Sequence, residues 1–334
     1  MTNHFKFNRI INNGSGVLKK VKHIFVVNPV AGERDATESV KSAVSTLGVE
    51  YELYCTKGPL DATEFVKTLN GDGQQYRVYA CGGDGTFNEV AAGAVGSDNI
   101  SVSVFPCGSG NDYIKYYGKF DDFKDLDSLV NGVDTQVDVM KVNGKYAFNF
   151  VHFGFDSACL KTMVKVRRKP IIGGKRAYAT GVVTALVSGM KHKCRVTVDG
   201  EVLGKDKMLL CTVGNGKYVG GKYKCAPMSD NADGLLEICH VNPVSRANFI
   251  RLINAYKSGL HLDDPRFTKY VNYKRGKIVE VESLNGGDMH FSIDGELQFA
   301  EKFKIEILPG ALRFGVPQKL ASKLEIKGEK TVVC

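Results

Sequence analysis

Several features that would settle the class of this 334-residue chain at once are missing from it. No run of about 18 apolar residues occurs, so no stretch predicts a membrane-spanning helix. The opening residues, Met1 to Lys20, are polar and lack the apolar core of a secretory signal. With Asn12, Asn13, Gly14, Ser15 and Gly16 among them, they read as a flexible arm. Neither a Walker-type phosphate loop nor a nucleophile elbow is present, which argues against P-loop enzymes and serine hydrolases. The seven histidines form no HxxxH or HxxEH pair, and His152 and His290, in strand-like segments, read as structural. Nine cysteines include no CxxC pair, and Cys81, Cys211 and Cys239 sit inside apolar runs as small hydrophobes. That usage favours a reducing cytosol over a disulfide framework or a zinc site. Internal repeats and low-complexity tracts are absent as well.

What is present is ordinary in bulk. Hydrophobic residues make up 43% and charged residues 24% of the chain, as in a soluble globular protein, and the length predicts two domains. The formal charge of +9 is too diffuse to indicate nucleic acid as a partner. It is compatible with anionic lipid surfaces or phosphorylated ligands.

The informative stretch is residues 77–90. Val78, Tyr79, Ala80 and Cys81 read as a buried strand. Gly82, Gly83 and Gly85 then allow a sharp turn and a close backbone approach to a ligand. From Thr86 a helix is expected, with Phe87, Val90, Ala91 and Ala94 on one face. Strand, glycine turn and helix N-terminus suit a phosphate. Asp84 would repel that phosphate unless a metal bridges them or it accepts a proton, which points to metal-assisted phosphoryl transfer. A tight turn with a capping Asp accounts for the same residues.

Two neighbouring segments repeat this arrangement. Lys22 to Val27 predicts a strand ending in Asn28-Pro29-Val30-Ala31-Gly32, with a helix from Asp35 to Leu47. Ile100 to Pro106 predicts another, ending in Cys107-Gly108-Ser109-Gly110-Asn111-Asp112-Tyr113. Between them, Tyr51 to Cys55 reads as a strand with Thr56-Lys57-Gly58-Pro59 as its exit, and Asp61 to Leu69 as a helix. Alternating strands and helices imply a doubly wound parallel α/β layer, in which ligands sit beyond the strand C-termini. The exits at Asn28, Asp84 and Asp112 would then share one crevice.

After about residue 135 the pattern becomes strand-rich. Segments 136–142, 146–151, 194–198, 207–213, 235–241, 277–282 and 289–293 alternate and are joined by polar turns, which predicts an antiparallel sandwich. Ala177 to Met190 and Ser245 to Ser258 are the helical exceptions, the first apolar enough to pack or to line a greasy cleft. Residues 21–135 are therefore expected to form an α/β nucleotide-binding domain and residues 136–307 a β-sandwich domain.

Asn28 to Gly32, the Gly82-Gly83-Asp84-Gly85-Thr86-Phe87-Asn88-Glu89 run, Gly108-Ser109-Gly110-Asn111-Asp112 and Asp294-Gly295-Glu296 occur in that order. This series resembles the diacylglycerol kinase catalytic-domain family, which includes sphingosine kinases and soluble bacterial lipid kinases. The resemblance spans Lys22 to Val316. It implies an ATP-binding α/β domain and a lipid-holding β-sandwich domain with the active site between them. Gly310 to Val316 would return to the first domain, so the resemblance assigns 308–334 back to it.

Carried over by residue, the resemblance implies that Asn28, Thr56, Gly82, Gly83, Gly85, Thr86 and Ser109 meet the nucleotide. Asp112 would lie near the lipid hydroxyl and metal. Glu296 is the expected general base and Asp84 the expected partner of catalytic Mg²⁺, with the reverse assignment open. Such a base needs a raised pKa, which neighbouring acids supply. Asp138 matches an acid linked to a structural metal site, though a plain surface-strand residue explains it too. Asp230 and Asp233 match the family's structural Mg²⁺ loop, and an acidic turn without metal explains them equally. Lys161 to Arg176 carries seven Lys or Arg and no acid. Arg168 and Arg176 are its candidates for ATP phosphates, with docking on anionic headgroups or a solvated loop as the other readings. Tyr113 stands where many relatives have Phe or Ala and is expected to shape the substrate cleft.

The resemblance thus implies an ATP- and Mg²⁺-dependent lipid kinase, cytoplasmic and transiently peripheral at the membrane, compatible with a homodimer. The rivals are a nicotinamide-dinucleotide kinase, which shares the Gly-Gly-Asp-Gly-Thr turn, and a silent lipid- or nucleotide-binding regulator.

Overall fold

The computed structural model describes residues 21–31, 35–108, 110–166, 169 and 176–322; the polar N-terminal arm lies outside them. The chain divides into two units. One takes the residues up to Val137 together with those from Gly310 onward, and the other runs from Asp138 to Pro309.

The first unit alternates β1 (Val21–Val27), α1 (Thr37–Val44), β2 (Tyr51–Cys55), α2 (Asp61–Thr68), β3 (Gln75–Gly82), α3 (Asp84–Ala94) and β4 (Ile100–Pro106). Two short helices follow, α4 (Phe120–Lys124) and α5 (Leu126–Val130). The strands pair in parallel, β2 with β1, β1 with β3 and β3 with β4. Arg313 and Phe314 of the final strand add a parallel neighbour to β4. This order, 2-1-3-4 and then the last strand, is a doubly wound one whose direction of winding reverses between β1 and β3. Ile24, Phe25, Val26 and Val27 are fully buried in sequence, as befits a parallel strand covered on both faces.

An aromatic cluster holds the segment after β4 in place. The Phe314 ring is fully buried. Its centroid lies 5.0 Å from those of Tyr113 and Tyr117, 6.0 Å from Phe87 and 6.3 Å from Phe123. Tyr113, expected to shape a substrate cleft, is instead a core residue at 4% exposure. Its ring packs 4.4 Å from Phe87 of α3. Arg77 supplies a polar tie: its guanidinium donates to the carbonyls of Val130 and Gly132 and pairs with Asp134 at 2.8 Å.

The chain continues through β5 (Val133–Val142), β6 (Lys145–Ala147), β7 (Phe150–Gly154), α6 (Phe155–Val166), α7 (Ala177–Ser188), β8 (His192–Val198), β9 (Glu201–Val202), β10 (Lys207–Met208) and β11 (Leu210–Gly214). There follow β12 (Leu236–Val241), α8 (Arg246–Lys257), β13 (Val271–Gly276), β14 (Ile278–Ser283), β15 (Met289–Ile293), β16 (Glu296–Ala300) and β17 (Lys302–Val316). One antiparallel sheet of the second unit has the order β13-β12-β11-β7-β15-β16. The other runs β10-β8-β14 and then Lys302–Glu306 of β17, with β9 beside β8.

Side-chain alternation divides the cores. Val151, Phe153, Val213 and Ile238 meet Val196, Val281, Phe303 and Ile305 between the sheets. The next residues along, Phe150, Leu210 and Cys239, turn to the opposite face and meet Phe155, Cys159, Ala185, Phe249 and Leu252 of the helices. The second unit is therefore a β-sandwich with a helical layer on one sheet. Lys207 to Val213, expected as one strand, is two. β10 pairs with β8 in one sheet and β11 with β7 and β12 in the other, so the chain changes sheets at Leu209. Gly154 makes room for that crossing: it has φ 88°, and a Cβ there would stand 2.6 Å from the Leu209 carbonyl oxygen.

Removing the ring at the centre of the first unit's aromatic cluster leaves a cavity. Phe314→Ala is expected to cost about 3–5 kcal/mol, read as a lower urea midpoint at unchanged slope. An unmoved midpoint would show that the cluster does not hold this unit together.

Candidate active site

Three strand exits of the first unit are tied together around the end of β3. The Gly82 carbonyl oxygen, at the end of β3, accepts from the Cys107 N–H at 2.9 Å and the Gly108 N–H at 3.1 Å. The Asn111 side-chain amide donates to it as well, at 3.0 Å. From the other side, the Asn28 N–H donates to the Cys81 carbonyl at 3.2 Å. The Asn28 side chain donates to Thr86 Oγ1 at 3.2 Å and accepts from the Val30 N–H at 3.1 Å. These bonds bring Asn28, Gly82, Gly83, Thr86 and Asp112 together beyond the C-terminal ends of β1, β3 and β4.

The glycines have distinct reasons. A Cβ on Gly82 would lie 2.2 Å from Thr86 Oγ1, one on Gly108 2.5 Å from the Gly83 Cα, and one on Gly110 2.6 Å from an Asp84 oxygen. Gly108 and Gly110 reflect the packing of the β4 exit on the β3 exit, and Gly82 the tight closure of its own turn on Thr86. Gly85 differs, because a Cβ there would meet nothing within 4 Å. It lies in the first turn of α3, whose N-cap Gly83 offers no side-chain acceptor. The leading N–H groups of a helix lack intrahelical partners and attract anions.

Two carboxylates sit at this helix start. Asp84 Oδ1 accepts the Asp112 N–H at 2.6 Å. Asp112 is 8% exposed, and its carboxylate pairs with Lys115 Nζ at 2.5 Å. Burial and then the Asp112 charge push Asp84 above the ordinary value of 3.8, against the N–H groups of Asp112 and Tyr113 and the Lys115 charge, which pull it down. The expected raised pKa thus falls on Asp84.

Sequence reading passed over two residues here. Lys115 was signalled by its i,i+3 spacing from Asp112. Asn111, 2% exposed and at φ 46°, ties its turn to Gly82, and its buried Oδ1 has no hydrogen-bond partner among the described residues. Paired hard oxygen donors beside an open helix N-terminus fit a divalent cation and a phosphate.

Thr56 is half-buried at the exit of β2, where its N–H donates to the Val27 carbonyl at 2.9 Å. Ser109 and Arg168 lie outside the described residues. Arg176 is exposed immediately before α7, in the second unit.

In the second unit Asp294 and Gly295 form the β15–β16 turn, at φ 45° and 88°. Asp294 also accepts N–H bonds from Phe148, Asn149 and Phe150 at 2.7, 3.0 and 2.7 Å, which binds the turn to the start of β7. Glu296 follows at the head of β16 and is exposed.

The acids expected around a structural metal lie on and beside one loop, residues 228–234, to which the Asp138 N–H also donates at the Asn231 carbonyl, 2.7 Å. Asp138 accepts the Gly234 N–H at 2.6 Å, Asp230 the Ala232 N–H at 3.2 Å, and Asp233 pairs with Arg275. Arg275 also pairs with buried Glu237 at 2.7 Å. Among the described residues no group of three or more His, Cys, Asp or Glu side chains is arranged to hold a metal ion.

A separate polar group lies between sheet and helices. His152 Nδ1 stands 3.2 Å from Thr212 Oγ1 and 3.5 Å from Asp156 at the start of α6. Thr212 is in turn 3.4 Å from the Tyr256 hydroxyl. Burial pushes Asp156 up to about 6 and His152 down to about 4. His152, expected to be a satisfied structural residue, has no partner for its buried Nε2 among the described residues. His290 fits that expectation better, with Nδ1 at 2.8 Å from Ser157 Oγ.

Comparison with known proteins adds the family. Residues 22–142 match the family described as diacylglycerol kinase catalytic domain. Residues 149–316 match the YegS C-terminal NAD kinase beta sandwich-like domain. The chain is 30% identical over 223 residues to the diacylglycerol kinase of Bacillus subtilis (strain 168), covering 66% of this chain and 70% of that protein. It is 29% identical over 280 residues to the diacylglycerol kinase of Staphylococcus saprophyticus, covering 81% and 87%. A crystal structure titled as a diacylglycerol kinase from Bacillus anthracis str. Sterne superposes with a TM-score of 0.66 at 22% identity, over 90% of this chain and 98% of that one. That likeness carries the fold.

The raised Asp84 has a measurable sign. An acid whose folded pKa exceeds its unfolded one lowers stability as pH rises from the unfolded value through the folded one. Without nucleotide or divalent cation, Asp84→Asn is expected to melt with wild type at about pH 4 and above it at about pH 7.5. A lower melting temperature for the variant at the higher pH would refute the destabilising role assigned to the carboxylate.

Proposed function

The chain belongs to the diacylglycerol kinase catalytic-domain family, and we propose that it is an ATP- and Mg²⁺-dependent kinase that phosphorylates the hydroxyl of a membrane lipid such as a diacylglycerol or a sphingoid base. The observation that carries this reading is the pair Asp84 and Asp112 set against the open N-terminus of α3, at the reversal point of a parallel sheet. N–H groups of the α3 first turn, flanked by Asn28 and Thr86, hold the nucleotide phosphates, and Thr56 and Arg176 are further nucleotide contacts. Asp84 and Asp112 hold the cation, which when bound neutralises charge building on the transferred phosphoryl group. Lys115 orients Asp112 and shares its charge. Positioning supplies most of the acceleration, since the protein forms no covalent bond of its own.

Glu296 is the proton acceptor for the lipid hydroxyl in this proposal. Its exposure leaves it open to a substrate, while Asp84 is held by main-chain donors. One observation favours the reverse assignment: Asp84 is the acid with the raised proton affinity. A lipid substrate also requires the protein to visit a bilayer, so a membrane surface is a transient partner. A cytoplasmic, peripheral location and a homodimer accord with the same reading.

The test is transfer of labelled phosphate from ATP/Mg²⁺ to lipids in mixed micelles, beside a soluble panel containing NAD. Label on lipid is expected, with Glu296→Gln and Asp84→Asn each lowering kcat by about 10²–10⁴-fold. A raised Mg²⁺ requirement in Asp84→Asn alone identifies Asp84 as the cation-holding acid and leaves Glu296 the proton; a raised requirement in Glu296→Gln alone supports the reverse assignment. Label on NAD alone would move the chain to dinucleotide kinases, and ATP binding without any labelled product to a regulator.

A further inference from the structure

Helix α7 breaks a rule that water-facing helices obey. Its twelve residues, Ala177–Ser188, include no charged side chain. Its inner face is committed, because Ala177 and Ala185 are buried. Gly181 lets α7 lie close on α6, where a Cβ would stand 2.7 Å from the Cys159 carbonyl oxygen. The outer face holds Ala179, Val183 and Val187 at four-residue spacing, with the two valines 60% and 68% exposed. An uncharged helix with apolar residues on both faces is normally covered on both.

The cover is indicated by α8. Arg246 donates to the carbonyls of Leu186 and Val187 at 2.6 and 2.7 Å, fixing the start of α8 at the end of α7. One turn on, Ile250 is 63% exposed. Along the same stripe of α8, Asn254, Lys257 and Ser258 line a cavity of 580 Å³ with Tyr218, Lys222 and Lys224. Its lining holds three lysines and no acid, and none of the three is ion-paired among the described residues. The two features adjoin at the other end of α7 as well. The Tyr178 hydroxyl bonds the Tyr223 hydroxyl at 2.7 Å, and the Lys257 ammonium sits 5.6 Å from the Tyr223 ring centre.

We propose that the outer face of α7, with Ile250, inserts into an anionic lipid bilayer while the Lys222, Lys224 and Lys257 cavity takes a phosphate-bearing headgroup. Valines with no charge among them suit the acyl boundary, and lysines beside them suit the anionic surface above it. A second copy is the poorer occupant, because it would bring another cationic cavity to the same face of a chain whose net charge is +9. The inference rests on the lipid-kinase reading, since it says where such an enzyme meets the bilayer that holds its substrate.

The experiment is co-sedimentation of the full chain with vesicles of phosphatidylcholine, alone or mixed with phosphatidylglycerol. Beside it runs turnover of a short-chain, water-soluble diacylglycerol. Wild type is expected to bind the mixed vesicles only. Val183→Asp with Val187→Asp should lower that affinity at least about tenfold, and each of Lys222→Gln, Lys224→Gln and Lys257→Gln about fivefold. All these positions are at the surface, and soluble turnover should match wild type in each. Wild type that ignores the mixed vesicles, or variants that bind them as wild type does, would overturn the proposal. Aspartates that abolish a dimer while leaving vesicle binding intact would also overturn it and make the face a self-contact. Weakened binding in the variants with no soluble turnover by any protein would leave the docking face standing and remove the kinase reading instead.

Discussion

One carbonyl oxygen organises the first unit. Gly82 ends β3, and its oxygen receives the N–H groups of Cys107 and Gly108 and the amide of Asn111. Three donors on one acceptor with two lone pairs draw the β4 exit tightly over the β3 exit. The tolerance for side chains follows from that closeness. Gly108 faces the Gly83 backbone and Gly110 the Asp84 carboxylate, while Gly82 faces Thr86 of its own turn, with no space for a Cβ at any of them. The same bonds place the Asp112 N–H where it meets Asp84. Carboxylate placement is therefore a consequence of backbone packing, and the aromatic cluster around Phe314 supports it from below through Tyr113 and Phe87.

Much of the fold was legible because local pattern and tertiary role agree. β2, β4 and β15 begin and end where apolar runs and turn residues place them. The return of the chain to the first unit at Gly310 to Val316 came from the family resemblance and not from local pattern, and β17 begins earlier, at Lys302. Helix α3 starts at Asp84 and not at Thr86, since Gly83 already serves as its cap. Disagreements arise where a rule of the whole fold overrides the local one. The sheet change at Leu209 cuts an apolar run that reads as one strand. α6 was overlooked because Phe155, Cys159 and Val166 follow directly on β7 and extend its apolar run into a helical one. The helical layer then explains why β7 is buried on both faces, which a two-layer sandwich would not require.

At the candidate site, residue types were legible and their division of labour was not. The order of the glycine motifs pointed to Asp84 and Asp112, which the fold brings together. It could not show that Gly108 and Gly110 serve packing while Gly85 faces open space, because that depends on how closely two distant turns approach. Lys115 carried a readable cue in its spacing, whereas the role of Asn111 depends on a positive φ that spacing does not encode. Asp138 was legible only by resemblance, and the fold brings it to the loop of Asp230 and Asp233: it accepts the Gly234 N–H and donates its own to Asn231. Spacing alone could not show that Asp233 pairs with Arg275, forty-two residues away.

Sequences that specify a fold usually satisfy local rules throughout, and departures mark places where something else is being selected. Two departures dominate this chain. Asp84 is held, half-buried, beside a second acid, although burial and repulsion both oppose its charge. The arrangement persists because the bonds to the Gly82 carbonyl fix the backbone irrespective of that charge. Helix α7 exposes valines without a charged neighbour on the helix, and its packing on α6 and its tie to Arg246 hold that face outward. Both departures are fixed by the contacts around them and not by the side chains that depart: by the bonds to the Gly82 carbonyl in the first unit, and by the close approach at Gly181 and the Arg246 tie in the second.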